Sequence, residues 1–164
     1  IQEHANGMNL VSKMADTASV DRLVAIMSNN LASHLLDLGT LSDEESKGML
    51  EIALAARAAW FRAGDWVQRE RAAYLMALVH NRLAGWEAGL KAADEALATI
   101  AANGEEPIDE AFLQLARAQA FNGLQEQAER DSALGVADAL ASEWGDGLKA
   151  WYEEQRAKSL ATRP

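Results

Sequence analysis

Glycines at regular intervals are the feature that most constrains how this chain folds. Six of them lie 19 to 25 residues apart: Gly39, Gly64, Gly85, Gly104, Gly123 and Gly145. Between them apolar residues recur in steps of four and three, as at Trp86, Leu90, Ala93, Leu97 and Ile100, so they share one face of a helix. Because glycine commonly ends helices, the pattern predicts helices joined by short corners. We place them near 19–38, 43–62, 65–83, 86–102, 107–122, 125–144 and 146–160, with a further short helix near 8–15.

Composition favours the same fold class. The 164 residues contain only two prolines, and Ala, Leu and Glu are abundant, whereas the β-branched residues that suit a sheet are scarce. Corners of two to five residues place consecutive helices antiparallel and adjacent. We therefore predict one all-α domain over 1–164: an antiparallel helix-turn-helix stack of about seven helices, preceded by an N-terminal extension, 1–18.

Capping residues support the predicted helix starts. Ser42 with Glu45 forms the pattern of a capping box, and Asp65 with Gln68 is a close relative of it. Pro107 suits the first position of a helix, where its missing N–H is no loss. Each of these starts follows soon after a glycine.

The charge balance argues against several kinds of partner. There are 25 acidic and 15 basic residues, for a formal net charge of −10, which repels phosphate backbones and anionic lipid headgroups. We therefore expect no binding to nucleic acid or membranes. The first twenty residues lack the features of a signal peptide, and we expect a cytoplasmic location.

No residue pattern indicates catalysis, a metal or a cofactor. Cysteine is absent, so thiolate metal sites and a cysteine nucleophile are excluded. The histidines His4, His34 and His80 are too far apart in sequence for a two-histidine metal motif. No glycine-rich phosphate loop and no G-x-S-x-G motif is present. We expect a protein that is not an enzyme and that has no catalytic residues, metal or cofactor.

Small residues predict where helices approach closely. Gly89, Ala93 and Ala96 form one stripe, and Ala128, Ser132, Gly135 and Ala139 form another. Trp66 and Trp86 each follow a glycine, and we expect them to fill the corners between paired helices.

The segment 65–140 resembles the tetratricopeptide repeat. In "YLMALVHNRLAGWEAGLKAADEAL" the family's positions are matched by Ala77, Trp86, Gly89, Ala96 and Leu97. In "FLQLARAQAFNGLQEQAERDSALGV" they are matched by Leu115, Ala116, Gly123, Ala128 and Gly135, while Gln125 replaces the aromatic residue of the corner. The period of about 38 to 41 residues exceeds the 34 of the standard motif, as in a longer-helix variant.

The resemblance implies a right-handed superhelix of three helix pairs, 19–62, 65–102 and 107–144, closed by the helix 146–160. In this family the first helix of each pair lines a concave groove that binds protein partners. Six polar residues on the first helices are then candidates for holding a peptide segment of a partner: Arg71, Tyr74, Asn81, Arg82, Gln114 and Arg117. Guanidinium, amide and phenol groups can hold an extended peptide by charge-assisted hydrogen bonds.

Alternative interpretations remain open at this stage. Trp144 and Trp151 could form a second partner surface or a homodimer contact, because tryptophan is enriched at protein interfaces. A secretion-type chaperone with a tetratricopeptide fold would have a similar length and charge. A helical small-molecule-binding protein or enzyme would have a buried pocket in place of the groove.

Overall fold

The computed structural model describes residues 17–161, and within that range it contains seven α-helices and no strand. The helices are α1 (Thr17–Asp37), α2 (Asp43–Ala63), α3 (Trp66–Arg82), α4 (Trp86–Asn103), α5 (Pro107–Gly123), α6 (Gln127–Ala141) and α7 (Asp146–Leu160). The all-α prediction is confirmed, and the helices 19–38 to 146–160 are present with bounds shifted by three residues or fewer. The predicted helix at 8–15 and most of the extension 1–18 lie outside the described residues.

The helices begin where the capping residues predict. Ser42 Oγ accepts a hydrogen bond from the Glu45 backbone N–H, and a Glu45 carboxylate oxygen accepts one from the Ser42 N–H, at 3.1 and 2.8 Å. Asp65 and Gln68 make the same reciprocal pair at the start of α3. Pro107 is the first residue of α5. These bonds satisfy N–H groups that a helix start otherwise leaves without partners.

Two corners share a backbone motif that defines the repeat. Ala84 and Gln125 both have positive φ, at 57° and 65°. In each case the next residue donates its N–H to the carbonyl five residues earlier, at 2.8 Å from Gly85 to His80 and 2.9 Å from Glu126 to Phe121. This is the Schellman arrangement, which ends a helix through one left-handed residue. Its recurrence after 41 residues aligns the pair α3–α4 with the pair α5–α6.

The helices pack as three pairs with a closing helix. Contacts are most extensive between α1 and α2, between α3 and α4, and between α5 and α6. The first helices also contact one another, α1 with α3 and α3 with α5, and α7 packs against α5. They therefore form one continuous layer, with α2, α4 and α6 behind it. The central helix α5 contacts four others, which explains why residues 111–116 are all buried.

The two predicted stripes of small residues differ in outcome. Gly89, Ala93 and Ala96 are buried, as expected for a close helix contact. The second stripe is wrong, because all four of its members are exposed: Ala128, Ser132, Gly135 and Ala139. The residues of α6 that are buried instead are Ala133, Leu134, Ala137 and Ala141.

Trp66 and Trp86 pack against the ends of neighbouring helices. The Trp86 ring packs against Gly123, at the end of α5, so closely that a Cβ at that glycine would overlap it. Trp66 packs against Gly104, at the end of α4. Consecutive helices run antiparallel, so the start of one helix lies beside the end of the next. Each ring therefore packs at the corner that follows the neighbouring helix.

Candidate functional site

A groove of about 820 Å³ opens on the layer made by α1, α3, α5 and α7. This volume lies within the usual range of ligand sites, roughly 300 to 1,000 Å³. Five helices contribute residues to it: the end of α1 with the following corner 38–41, Ser46 of α2, the second half of α3, the middle of α5 and the last turns of α7. The lining residues that bear on function are Asp37, Tyr74, Leu78, Arg82, Phe112, Leu115, Gln119, Gln155, Lys158 and Ser159.

Two helical stripes make the inner surface of the groove. On α3 the lining residues Tyr74, Leu78 and Arg82 are spaced by four, and so lie on one face. On α5 they recur in steps of three and one, from Phe112 to Gln119. The apolar members of the two stripes are Leu78, Phe112, Leu115 and Ala116, and we call these four residues the apolar inner stripe. Hydroxyl, amide and charged groups surround it on α1, the corner, α2 and α7: Ser33, Asp37, Thr40, Ser46, Gln155, Lys158 and Ser159.

Two cationic side chains, Arg82 and Lys158, border the groove, and they differ in their bonding partners. Arg82 Nη2 donates hydrogen bonds to the carbonyls of Leu38 and Gly39, at 3.2 and 3.0 Å. Arg82 therefore stabilises the corner after α1, whose carbonyls lie beyond the helix ladder. Among residues 17–161 the Lys158 side chain is paired only with Glu154, at 2.6 Å, and both side chains are more than half exposed. A solvated pair of this kind exchanges easily, so Lys158 is the cation that a ligand can recruit.

The six residues predicted for the groove do not share one surface. Tyr74 and Arg82 line the cavity. Asn81 and Gln114 are buried, at 2% and 7% exposure, and Asn81 donates hydrogen bonds to the Ala116 carbonyl and to Gln119 Oε1. Asn81 therefore joins α3 to α5 behind the groove.

The two remaining arginines make ion pairs away from the cavity. Arg71 is paired with Asp109 at 2.8 Å, and Arg117 with Asp94 of α4 at the same distance. Arg117 also donates to Gln114 Oε1 at 2.9 Å. The physical reason is the helical period, because Gln114 and Arg117 lie on a different face of α5 from the stripe that begins at Phe112. The apolar stripes of α3 and α5 were the sequence signal that could have identified the groove.

Trp144 and Trp151 belong to an aromatic cluster that attaches α7 to α5. The ring of Phe112 lies 4.4 Å from that of Trp151, 6.1 Å from that of Trp144 and 5.9 Å from that of Tyr152. Tyr152 donates to the Asp138 carboxylate at 2.6 Å, and Arg156 donates to both of its oxygens. Trp144 is half-buried, whereas Trp151 remains 49% exposed. Trp144 is thus largely a packing residue, and Trp151 is the member of this second surface that a partner can reach.

A buried carboxyl group lies one turn before Tyr74 and was missed at the sequence level. Glu70 has 0% exposure, and neither of its oxygens has a hydrogen-bond donor. The nearest cation is Arg71, whose Nε lies 3.6 Å away and is shared with Asp109. Burial, together with the Asp109 carboxylate, raises the pKa of Glu70 to about 8. Burial also raises the pKa of Tyr74 above its usual range.

Within residues 17–161 no three His, Asp or Glu side chains are grouped so that they could hold a metal ion. None of the seven helices combines the length and the apolar character needed to cross a bilayer. Comparison with protein-family models, with curated proteins and with solved structures found no match for this chain. The tetratricopeptide resemblance therefore rests on the residues quoted above, beside the paired helices and the recurring Schellman corner.

Proposed function

We propose that this protein is an interaction module, an adaptor or scaffold, that binds a peptide segment of a partner protein in the groove of the first helices. The observation that carries the proposal is the groove itself, whose apolar inner stripe is bordered by hydrogen-bonding groups. Such a surface suits an extended peptide, whose side chains need an apolar contact and whose backbone needs polar partners. A cytoplasmic location and a role without catalysis remain predictions.

The residues that line the groove differ from the six that the sequence predicted, so the set that we assign to binding changes. Tyr74 and Arg82 are retained from the sequence prediction, and Leu78, Gln119 and Lys158 join them. Arg71 and Arg117 leave the set because their guanidinium groups are paired outside the cavity. Asn81 and Gln114 also leave the set, because both are buried and neither lines the groove.

A small-molecule carrier is the second candidate, because the volume of the groove also suits a compact apolar ligand. The two functions differ in the size of the ligand that must be accommodated. A peptide needs the open length of the groove, whereas a small molecule needs only part of the apolar inner stripe. The secretion-chaperone interpretation would use the same groove, with a peptide of the secreted protein as its ligand.

The test begins with selection of peptides from a displayed random library on the immobilised protein. Selected peptides are then titrated against the wild type, against Gln155→Trp, which fills the groove from α7, and against Lys149→Trp, which places the same ring at an exposed position of α7 outside it. We expect Gln155→Trp to weaken binding at least about tenfold, which corresponds to 1.4 kcal/mol, and Lys149→Trp to leave it unchanged. Binding that is insensitive to Gln155→Trp would reject the groove and turn attention to Trp151. A thermal-shift response to a small metabolite, with no peptide enriched, would favour the carrier.

A further inference from the structure

Helix α1 presents an apolar face to solvent that nothing in residues 17–161 covers. Six of its large apolar side chains are 40% to 63% exposed: Val20, Leu23, Val24, Ile26, Met27 and Leu31. The face opposite to them, with Ala25 and Ala32, is fully buried against the stack. In the layer of first helices, α3 lies between α1 and α5, and α5 lies between α3 and α7. Helix α1 is at the end of this layer and has a neighbour on one side. Contiguous apolar patches of this kind usually mark an interaction surface.

The spacing of these residues indicates the shape of what covers them. Val20, Val24, Met27 and Leu31 follow one another in steps of four, three and four, which is the repeat of a helix that packs side by side with another helix. We call these four residues the α1 seam. The seam spans about 17 Å at a rise of 1.5 Å per residue. Its occupant is therefore an α-helix of at least three turns.

The lack of charged residues on the outer face of α1 indicates what kind of helix covers the seam. Residues 23–33 are the longest stretch of the sequence without an ionisable residue, although the chain carries a net charge of −10. The two charged residues just before this stretch are turned toward α2, since Asp21 is paired with Arg62 at 2.7 Å and the Arg22 guanidinium lies 5.9 Å from the Trp60 ring centre. A solvated helix face accommodates Lys or Glu at little cost, so their absence from the outer face of α1 points to a dry contact.

We infer that the α1 seam is a homodimer interface, in which α1 of one copy packs antiparallel against α1 of a second copy. Two copies of so acidic a chain repel each other over most of their surface, and the seam is where they can approach without opposing charges. A two-fold contact also requires a self-complementary surface, which an uncharged apolar seam provides. A different acidic or basic partner would find no charge on the seam to recognise. This interface is separate from the groove and from Trp151.

The test measures the mass of the full chain in solution by sedimentation equilibrium or light scattering. We expect a dimer, twice 17.7 kDa, at about 100 µM, with dissociation on dilution. Met27→Glu and Leu31→Glu, which each place a charge in the seam, are expected to weaken dimerisation at least tenfold while leaving helicity unchanged, because both positions are solvent-exposed in one copy. Val136→Glu is the matched control, since Val136 is a 41% exposed apolar residue on α6.

Two results would overturn the inference. A wild-type monomer at this concentration would mean that the seam is covered within one chain, for example by residues 1–16, or is not covered at all. A dimer that survives Met27→Glu and Leu31→Glu but dissociates with Trp151→Glu would place the interface on the second surface instead.

Discussion

The side-chain oxygen of Asn81 lies against the Cα of Gly89, so that a Cβ on this glycine would overlap the amide. The pair lies at a close contact between α3 and α4, and the Asn81 amide nitrogen donates a hydrogen bond to the Ala116 carbonyl of α5 at 2.8 Å. Asn81 of α3 thus packs against Gly89 of α4 and is hydrogen-bonded to α5. Glycine is needed at position 89 because of its neighbour and not because of its own backbone conformation, which is helical.

This contact predicts that Gly89→Ala changes the free energy of unfolding in opposite directions in the wild type and in an Asn81→Ala variant. Gly89→Ala in the wild type should lower the free energy of unfolding by about 1 to 3 kcal/mol, because the new methyl group overpacks against Asn81. In an Asn81→Ala background the same substitution should raise it, by up to about 1 kcal/mol, because alanine is the better helix former and the overlap with the amide is gone. The remaining close contact, the Ala77 carbonyl oxygen at 3.3 Å, is relieved by a shift of a few tenths of an ångström. Urea unfolding followed by circular dichroism measures all four proteins of the cycle. The same sign in both backgrounds would contradict the packing described.

Two glycines provide a second, matched comparison. Gly123→Ala should destabilise the fold by about 1 to 3 kcal/mol, because its Cβ would overlap the Trp86 ring. Gly135→Ala on the exposed face of α6, where no atom lies within 4 Å of the new Cβ, should instead stabilise by about 0.5 to 1 kcal/mol. The melting temperatures of the two variants, measured by thermal unfolding, should therefore shift in opposite directions. Destabilisation by Gly135→Ala would restore the predicted small-residue stripe of α6.

Arg82 should contribute to stability as well as to the groove. Arg82→Ala removes the two hydrogen bonds to the Leu38 and Gly39 carbonyls, and should cost about 1 to 2 kcal/mol of folding free energy. Lys91→Ala, at an exposed position of α4, serves as the control and should stay within about 0.5 kcal/mol of the wild type. An unchanged melting temperature for Arg82→Ala would show that the corner does not depend on the guanidinium.

Glu70 should make stability fall as the pH rises. Its pKa is about 8 in the folded protein, against 4.5 for an unperturbed glutamate, so the folded state binds more protons between these two values. The free energy of unfolding therefore decreases with pH across that window, with a slope of up to about 1.4 kcal/mol per pH unit. Burial lowers the pKa of His80, which gives an opposite slope just below pH 6.5, so the comparison with Glu70→Gln isolates the carboxyl group. We expect the stability of Glu70→Gln relative to the wild type to rise steadily from pH 5 to pH 8, while Glu129→Gln, at an exposed position, shows no such trend.

The helices were predictable because their signals are local. Ser42 and Asp65 mark helix starts through hydrogen bonds within three residues, and Pro107 marks one because a missing N–H is no loss at the first helical position. The corners were harder, because the left-handed positions are occupied by Ala84 and Gln125, whereas none of the glycines in the described range has a left-handed φ. Glycine located the corners, but it did not identify the residue that makes the turn.

The site was only partly predictable, for a different reason. Tyr74 and Arg82 were found because they are polar residues on a first helix, whereas Arg117 and Gln114 meet the same criterion and lie on another face of α5. Polar residues mark a groove poorly when the groove has an apolar inner surface. Glu70 was missed because its burial depends on how α3 and α5 pack, which no local pattern of the sequence reveals.

The most direct measurement of the central claim is the location of a bound peptide. The chain has no cysteine, so a fluorophore can be attached to a single Ser159→Cys in the groove or to a single Ala150→Cys on the exposed side of α7. A peptide selected on the wild type should change the emission of the label at position 159, saturate at the affinity measured for the unlabelled protein, and leave the label at position 150 unaffected. A response at position 150 alone, or an equal response at both positions, would contradict binding in the groove of the first helices.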